Sequence, residues 1–490
     1  MKIVTKTLVA ALLMGAASVA LGQGAFAAGK QASDGTSAAQ SADAAKIQAL
    51  EDQIEGLSDQ VQDLKRSQST QYTDIQNQRG QDVQVSLKNG RPTFNSADGD
   101  FSIAIRSLIQ YDTAYYSQGH APAGTDFSSG NNFRRARLGV NGTLFKDWSY
   151  EFIYDFGGSA TETTGISSAF IQYDGLGPVH VKLGAYAPPE SFEDSTSASD
   201  LLFLERAQPT DLARGIAGAD GRDAATIFAY DDRYFAALSY TGGVVGDAAA
   251  FDEQQSVVGR LAYRLLKSAD ANFAIGADST YTFKLADVAA GSSSPNTFRL
   301  RERPELNEDS SNTRLIDTGA IGASKIWEWG AEATGNWRSL YGQGGYFGYQ
   351  ITRDASTLPD PSFNGWYIQG SWVLTGEAKP YRPERGAYGS PTPASVFSFD
   401  HSGIGAWELA ARYSDLNLND NAGIAGVTTP TGGIRGGVQR IWTAGLNWYP
   451  NTAIRFVLDY QHTDVSRLDT SGAGIGAKLD AVSLRAQLSL

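Results

Sequence analysis

The chain contains no cysteine, two methionines and four histidines in 490 residues. Without cysteine there is no disulfide framework and no thiol chemistry. His120, His180, His401 and His462 are widely separated, so no Ser-His-Asp grouping and no zinc-like spacing exists. A hydrolytic site is not visible, no enzyme activity is expected, and neither a cofactor nor a metal is implied. Beyond the first 27 residues no run approaches the roughly 20 apolar residues of a membrane-spanning helix. Net charge is −13, which argues against nucleic acid as a partner. Lysine is scarce where arginine is not: from position 101 onward there are 24 Arg and 7 Lys. Arginine offers a planar fork that matches oxyanions, whereas lysine is a hydrated point charge.

The N-terminus reads as a secretory signal over 1–27. Lys2 and Lys6 form the basic region, an apolar core follows, and Ala25-Phe26-Ala27 is the cleavage site. The exported chain then opens with a low-complexity segment, 28–45, expected to be disordered. Ile47, Leu50, Ile54, Leu57, Val61 and Leu64 are spaced 3, 4, 3, 4, 3. This heptad seam predicts a coiled-coil helix over 46–66, on the periplasmic side, with cell-wall contact as one use for it. β-branched residues alternating with Leu along such a seam favour two strands. Residues 67–100 read as a polar linker.

From Phe101 the hydrophobic period becomes two. In the run 101–116 Phe101, Ile103, Ile105, Ile109 and Tyr111 share one face, and Arg106, Gln110 and Asp112 share the other. The final run sets Val482, Leu484, Ala486 and Leu488 against Ser483, Arg485 and Gln487. Runs of about 10–15 residues exceed the usual 5–6 of soluble sheets, and an apolar outer face with a polar inner face is the pattern of an outer-membrane barrel. The alternation puts Arg106, Arg135, Arg137, Lys182, Arg260, Arg264, Arg412, Arg455 and Arg485 on the polar face, with Glu151, Asp155, Glu408 and Asp459 beside them. Mutual neutralisation of wall charges is the structural alternative for many of these.

Seventeen candidate strands are present, and bacterial barrels use even numbers. Parity holds at sixteen if 285–318 is one long external loop. Arg299, Arg301 and Arg303 then lie on that loop and share one face of an extended segment, as a track for an anion or as a solvated charge run. The connection 187–222 contains Leu201-Leu202-Phe203-Leu204, too apolar for free solvent, and is expected to fold inward. The connection 377–403 is unusually long for the periplasmic end, and long connections are often functional.

These features together resemble the phosphate-selective porin O and P family. The matching stretches include Gly90-Arg91-Pro92-Thr93-Phe94, Phe133-Arg134-Arg135-Ala136-Arg137-Leu138-Gly139, Phe203-Leu204-Glu205-Arg206 and Arg299-Leu300-Arg301-Glu302-Arg303-Pro304-Glu305. The resemblance implies an all-β fold: a 16-stranded antiparallel transmembrane β-barrel over 101–490 in the outer membrane of a Gram-negative bacterium, assembled as a homotrimer. It implies inward-folded segments at 187–222, 285–318 and 377–403. It also implies an arginine ladder, matched here by Arg134, Arg135, Arg299, Arg301 and Arg303, with Arg137 and Arg206 as further candidates. Two departures stand out. Residues 193–200 are acidic where the resemblance calls for a basic residue at the constriction, and the chain ends in Leu490 rather than an aromatic residue.

The expectation is therefore a passive porin for inorganic phosphate or other small anions. The alternatives are a general or small-organic-solute porin and a structural barrel that tethers the envelope.

Overall fold

The computed structural model describes residues 36–79, 83–88, 90–122, 125–158, 164–217, 219–246, 252–286, 296–354, 356–400 and 402–490. The expected signal segment 1–27 lies outside the described residues.

The chain divides into two units, 1–79 and 80–490. In the first, α1 spans Thr36–Arg79. It extends past the 46–66 seam at both ends, so ten residues of the expected low-complexity segment and thirteen of the expected linker are helical. Ile47, Leu50, Ile54, Leu57, Val61 and Leu64 are each at least half exposed in the single chain. An apolar seam with nothing against it is the form a coiled-coil partner would cover.

In the second unit sixteen antiparallel strands close on themselves. They are β1 Ser102–His120, β2 Gly130–Leu144, β3 Trp148–Asp155, β4 Gly165–Leu176, β5 Val179–Tyr186, β6 Arg222–Tyr230, β7 Tyr234–Val244, β8 Gln255–Lys267, β9 Ala271–Lys284, β10 Ile321–Trp337, β11 Leu340–Arg353, β12 Ser362–Val373, β13 Ala406–Asp420, β14 Ile434–Tyr449, β15 Ile454–Ser466 and β16 Ala477–Ser489. Each pairs with the next. β16 returns to β1 with Val482 opposite Tyr115 and Leu488 opposite Ile109, which removes both sheet edges. The expected linker is not featureless: a hairpin of Gln84–Lys88 and Arg91–Asn95 pairs onto the start of β1, Thr93 opposite Ala104.

The period-two pattern becomes two surfaces. Along β15, Ile454, Phe456, Leu458 and Tyr460 face outward and exposed, while Arg455, Val457, Asp459 and Gln461 are buried inside. Connections such as 145–147, 268–270 and 338–339 are short at one end; the other end carries the long ones, apart from the β12–β13 connection 374–405, which is long at the short-turn end as the sequence led us to expect. By the usual rule the short-turn end is periplasmic. Trp148, Trp337 and Trp372 stand exposed near that end, where an interfacial girdle places amphipathic rings.

The long connections occupy the lumen. Between β5 and β6 the chain forms α2 (Phe192–Ser195) and α3 (Gln208–Ala217). Leu204, Leu212 and Ile216 from this connection join Leu300, Leu306, Leu315 and Ile316 of the β9–β10 connection. Both pack on Phe347, Tyr349 and Leu416 of the wall. Glu305 of the second loop accepts the Gln208 backbone N–H at the start of α3 (2.8 Å), where a helix favours negative charge.

Candidate functional site

Strict alternation would turn Arg134 to the lipid if Arg135 faces the lumen. A register shift between Gln110 and Tyr111 skips over Arg134: Gln110 stands opposite Arg135, and Tyr111 opposite Phe133. This bulge buries both arginines on the inner side. Arg134 Nε donates to Glu205 Oε1 at 2.7 Å, and Arg135 lies 3.7 Å from Glu205 Oε2. Arg485 of β16 approaches the same carboxylate (3.3 Å) and forks onto Asp112 at 2.7 and 2.5 Å. Burial opposes the charge on Glu205, but the Arg134, Arg135 and Arg485 guanidiniums hold its carboxyl well below the usual range.

Other lumenal arginines hold the inward loops by their carbonyls. Arg412 donates to the Glu205 carbonyl (3.0 Å) and to Glu305 Oε2 (2.5 Å), so it binds both loops at once. Arg455 donates to the carbonyls of Ser199 and Leu202, both at 3.2 Å. Arg485 donates to the Leu204 carbonyl (2.6 Å). Arg260 donates to the carbonyls of Arg385 and Gly386 in the long β12–β13 connection, at 2.7 and 2.8 Å. Arg264 lies over the Tyr381 ring of that connection. These five side chains face the lumen and are engaged with loop backbone or loop rings.

A cavity of about 680 Å³ remains open on the short-turn side of the 187–222 loop. Its lining includes Arg106, Arg135, Arg137, Lys182, Arg206, Arg214 and Arg385, against Glu151, Asp174, Asp194, Asp220 and Glu384. Seven cations against five carboxylates leave an excess of two. The partition is uneven. Arg137 pairs with Asp155 (2.7 Å) and Asp220 (2.5 Å), and Arg214 with Asp194 (2.7 Å) and Asp220 (2.5 Å). Burial opposes ionisation of Asp220, yet Arg137 and Arg214 hold it well below the usual range. Arg206 is 3.8 Å from Asp194 and donates to the carbonyls of Asp194 and Thr196. Arg106, Lys182 and Arg385, by contrast, form no ion pair among the described residues, and all three line the cavity. The Lys182 ammonium sits 4.3 Å from the Phe170 ring centre and 5.0 Å from that of Tyr186. Arg91 of the hairpin lies near this group; burial first, then Arg106 and Arg385, push its guanidinium down to about 10.

The structure does not bring the arginine triplet to this cavity. Arg299 is exposed and forks onto Asp317. Arg301 is exposed, with its backbone paired to Asp317, and Arg303 borders a separate small recess with Phe127 and Pro304. The side chains of 299 and 301 do share one face, as extended spacing requires. Arg214, Arg385 and Arg91 were missed by the sequence reading. They lie on a helix, a long connection and a hairpin, where no period marks a face.

A closed sixteen-stranded barrel with an apolar exterior, a charged lumen and chain folded into that lumen defines an outer-membrane porin of a Gram-negative bacterium. The chain belongs to the phosphate-selective porin O and P family, which matches residues 103–490. It is similar to Porin O of Pseudomonas aeruginosa, with 24% identity over 429 residues, covering 82% of this chain and 93% of that protein. It is also similar to an uncharacterized protein of Caulobacter vibrioides, with 27% identity over 383 residues, covering 76% and 70%. Among solved structures, the anion-selective porin from Comamonas acidovorans aligns with a TM-score of 0.48 and 13% identity, over 80% of this chain and 100% of that one.

Proposed function

We propose that the barrel is a passive, anion-selective pore, trimeric in the membrane, with phosphate-like oxyanions as its preferred solutes. The observation that carries this reading is the uneven partition of lumenal charge. Most arginines hold the inward loops, while Arg106, Lys182 and Arg385 line an open cavity without a carboxylate partner. Fixed positive charge in a narrow passage compensates an anion for lost water and repels cations, and weak binding at several sites lets the ion leave. Arg135, Arg137 and Arg206 at the inner end of the cavity continue the track. Arg299, Arg301 and Arg303 act at the opposite, long-loop end as an entry field, with Arg301 the freest of the three.

A second reading is a general or small-organic-solute porin, which Asp194 of the acidic 193–200 segment favours because it places a carboxylate on the cavity wall. Reversal potentials across a salt gradient, with phosphate block of chloride current, separate the two. In Arg106→Ala/Lys182→Ala channels the anion preference should fall about thirtyfold, since each of the two charges counts for on the order of 1 kcal/mol in a wet pore. In Arg299→Ala/Arg301→Ala/Arg303→Ala channels it should fall less. An unaltered ratio in the first variant, together with absence of phosphate block in the wild type, would replace this reading by the general porin.

A further inference from the structure

Beside the inward loop that borders the basic cavity, the lumen holds a buried acidic cluster that the anion path does not use. Glu190 lies on the inward loop just ahead of α2. Asp278 and Glu328 project inward from adjacent strands β9 and β10, where Thr280 stands opposite Glu328 and Asp278 opposite Gly330. Glu190 and Glu328 are fully buried and Asp278 is 6% exposed. One carboxylate oxygen from each lies within 4.8 Å of the others.

The outer oxygens of the cluster are satisfied and the inner ones are not. Glu190 Oε2 accepts the Ser191 N–H at 2.9 Å, and Glu328 Oε2 accepts the Thr280 N–H at 3.0 Å. Among the described residues, Glu190 Oε1, Glu328 Oε1 and both oxygens of Asp278 have no hydrogen-bond partner. The nearby cation, Arg260, spends its guanidinium on the carbonyls of Arg385 and Gly386 and forms no ion pair with the three acids. Neighbouring Glu332 is already satisfied by the Phe192 N–H and the Tyr367 hydroxyl. Gly330 makes room for the arrangement: a Cβ there would stand 2.6 Å from both Asp278 oxygens. Buried carboxylates that face one another without donors are costly unless protons or a cation join them.

We propose that Glu190, Asp278 and Glu328 form a site for one divalent cation of the calcium class, which staples the inward loop to the barrel wall. The donors are all hard oxygens, and oxygens around one calcium ion at about 2.4 Å stand no more than about 4.8 Å apart. Magnesium would need near-octahedral geometry and several retained waters, for which a fully buried pocket is less suited. The ion would remove local negative charge beside an anion passage and fix the position of α2.

The test uses the full-length protein, purified from membranes in detergent, stripped with EDTA and dialysed against calcium chloride. Bound calcium is counted by mass spectrometry, and thermal unfolding is followed with calcium and with EDTA. The expected result is one tightly held calcium per chain and a higher unfolding midpoint with calcium. Asp278→Asn should weaken binding at least tenfold. Gly330→Ala, which keeps all three acids but crowds Asp278, should weaken it too. Calcium retained in Glu190→Gln/Asp278→Asn/Glu328→Gln protein would place the ion elsewhere and overturn the proposal. So would wild-type protein whose unfolding responds to pH but not to calcium, since protons alone would then hold the cluster. If the triple variant fails to fold, the wild-type count and its calcium response decide alone.

Discussion

Glu205 sets one carboxylate against Arg134, Arg135 and Arg485, all buried. Glu205→Gln leaves three guanidiniums with too little counter-charge, and breaking a buried pair in this way typically costs about 3–5 kcal/mol. The variant should unfold at a lower temperature. The folded value of Glu205 lies below its ordinary 4.5. Its stabilisation is therefore present above that pH and lost only as pH falls through the lower, folded value. Glu302 and Glu308 behave in the opposite sense. Burial, then Asp211 for Glu302 and Asp112 for Glu308, push each up to about 8. The folded chain keeps these protons longer than the unfolded chain, so stability declines as pH rises from 4.5 toward 8. Thermal midpoints should fall between pH 6 and pH 9, and Glu302→Gln/Glu308→Gln should flatten that fall. A wild-type midpoint constant over this range would show that both groups are ionised throughout. At this scale the sequence was only partly legible. Alternation placed Arg412, Arg455 and Arg485 in the lumen, but nothing local distinguishes an arginine that holds a loop carbonyl from one free to meet a solute. Arg134 was invisible to alternation because a bulge breaks the period at that residue.

Strands were the most legible elements, because a membrane on one side and a polar lumen on the other impose period two over 8–19 residues. Helix α1 was legible only where it carries its seam. Its ends are polar, so no apolar period marks them, and Ala- and Gln-rich sequence carries the helix onward. The exposed seam makes a direct prediction. Leu50→Asp/Leu57→Asp in the isolated 36–79 segment should abolish self-association in analytical ultracentrifugation, while the unaltered segment forms dimers or trimers. A monomeric unaltered segment would mean that the seam serves another partner. Removing 28–79 from the full chain should leave channel conductance intact, since the hairpin that pairs onto β1 begins at Gln84. A deletion extended through residue 95 would strip that hairpin and expose the start of β1.

Across the whole molecule the charge is negative, yet three cations that form no ion pair among the described residues gather at the short-turn side of the barrel. Arg106, Lys182 and Arg385 line the cavity there, whereas Arg299 at the far end is tied to Asp317. A pore with fixed positive charge concentrated near one mouth conducts asymmetrically. Anions driven in from the charged side accumulate in the passage, and those driven from the other side are depleted from it. Screening sets the range of the effect: the Debye length is about 10 Å at 0.1 M salt and about 3 Å at 1 M. Single channels inserted in one orientation should therefore rectify at 0.1 M potassium chloride, with the larger current when anions enter from the short-turn side. At 1 M the current–voltage curve should become nearly symmetric. Arg106→Ala/Lys182→Ala should remove most of the asymmetry at low salt, whereas Arg299→Ala, whose charge already faces Asp317, should alter it little. Rectification that persists in the double variant would assign the asymmetry to the acidic long loops instead, and the basic cavity would then have no part in directing the current.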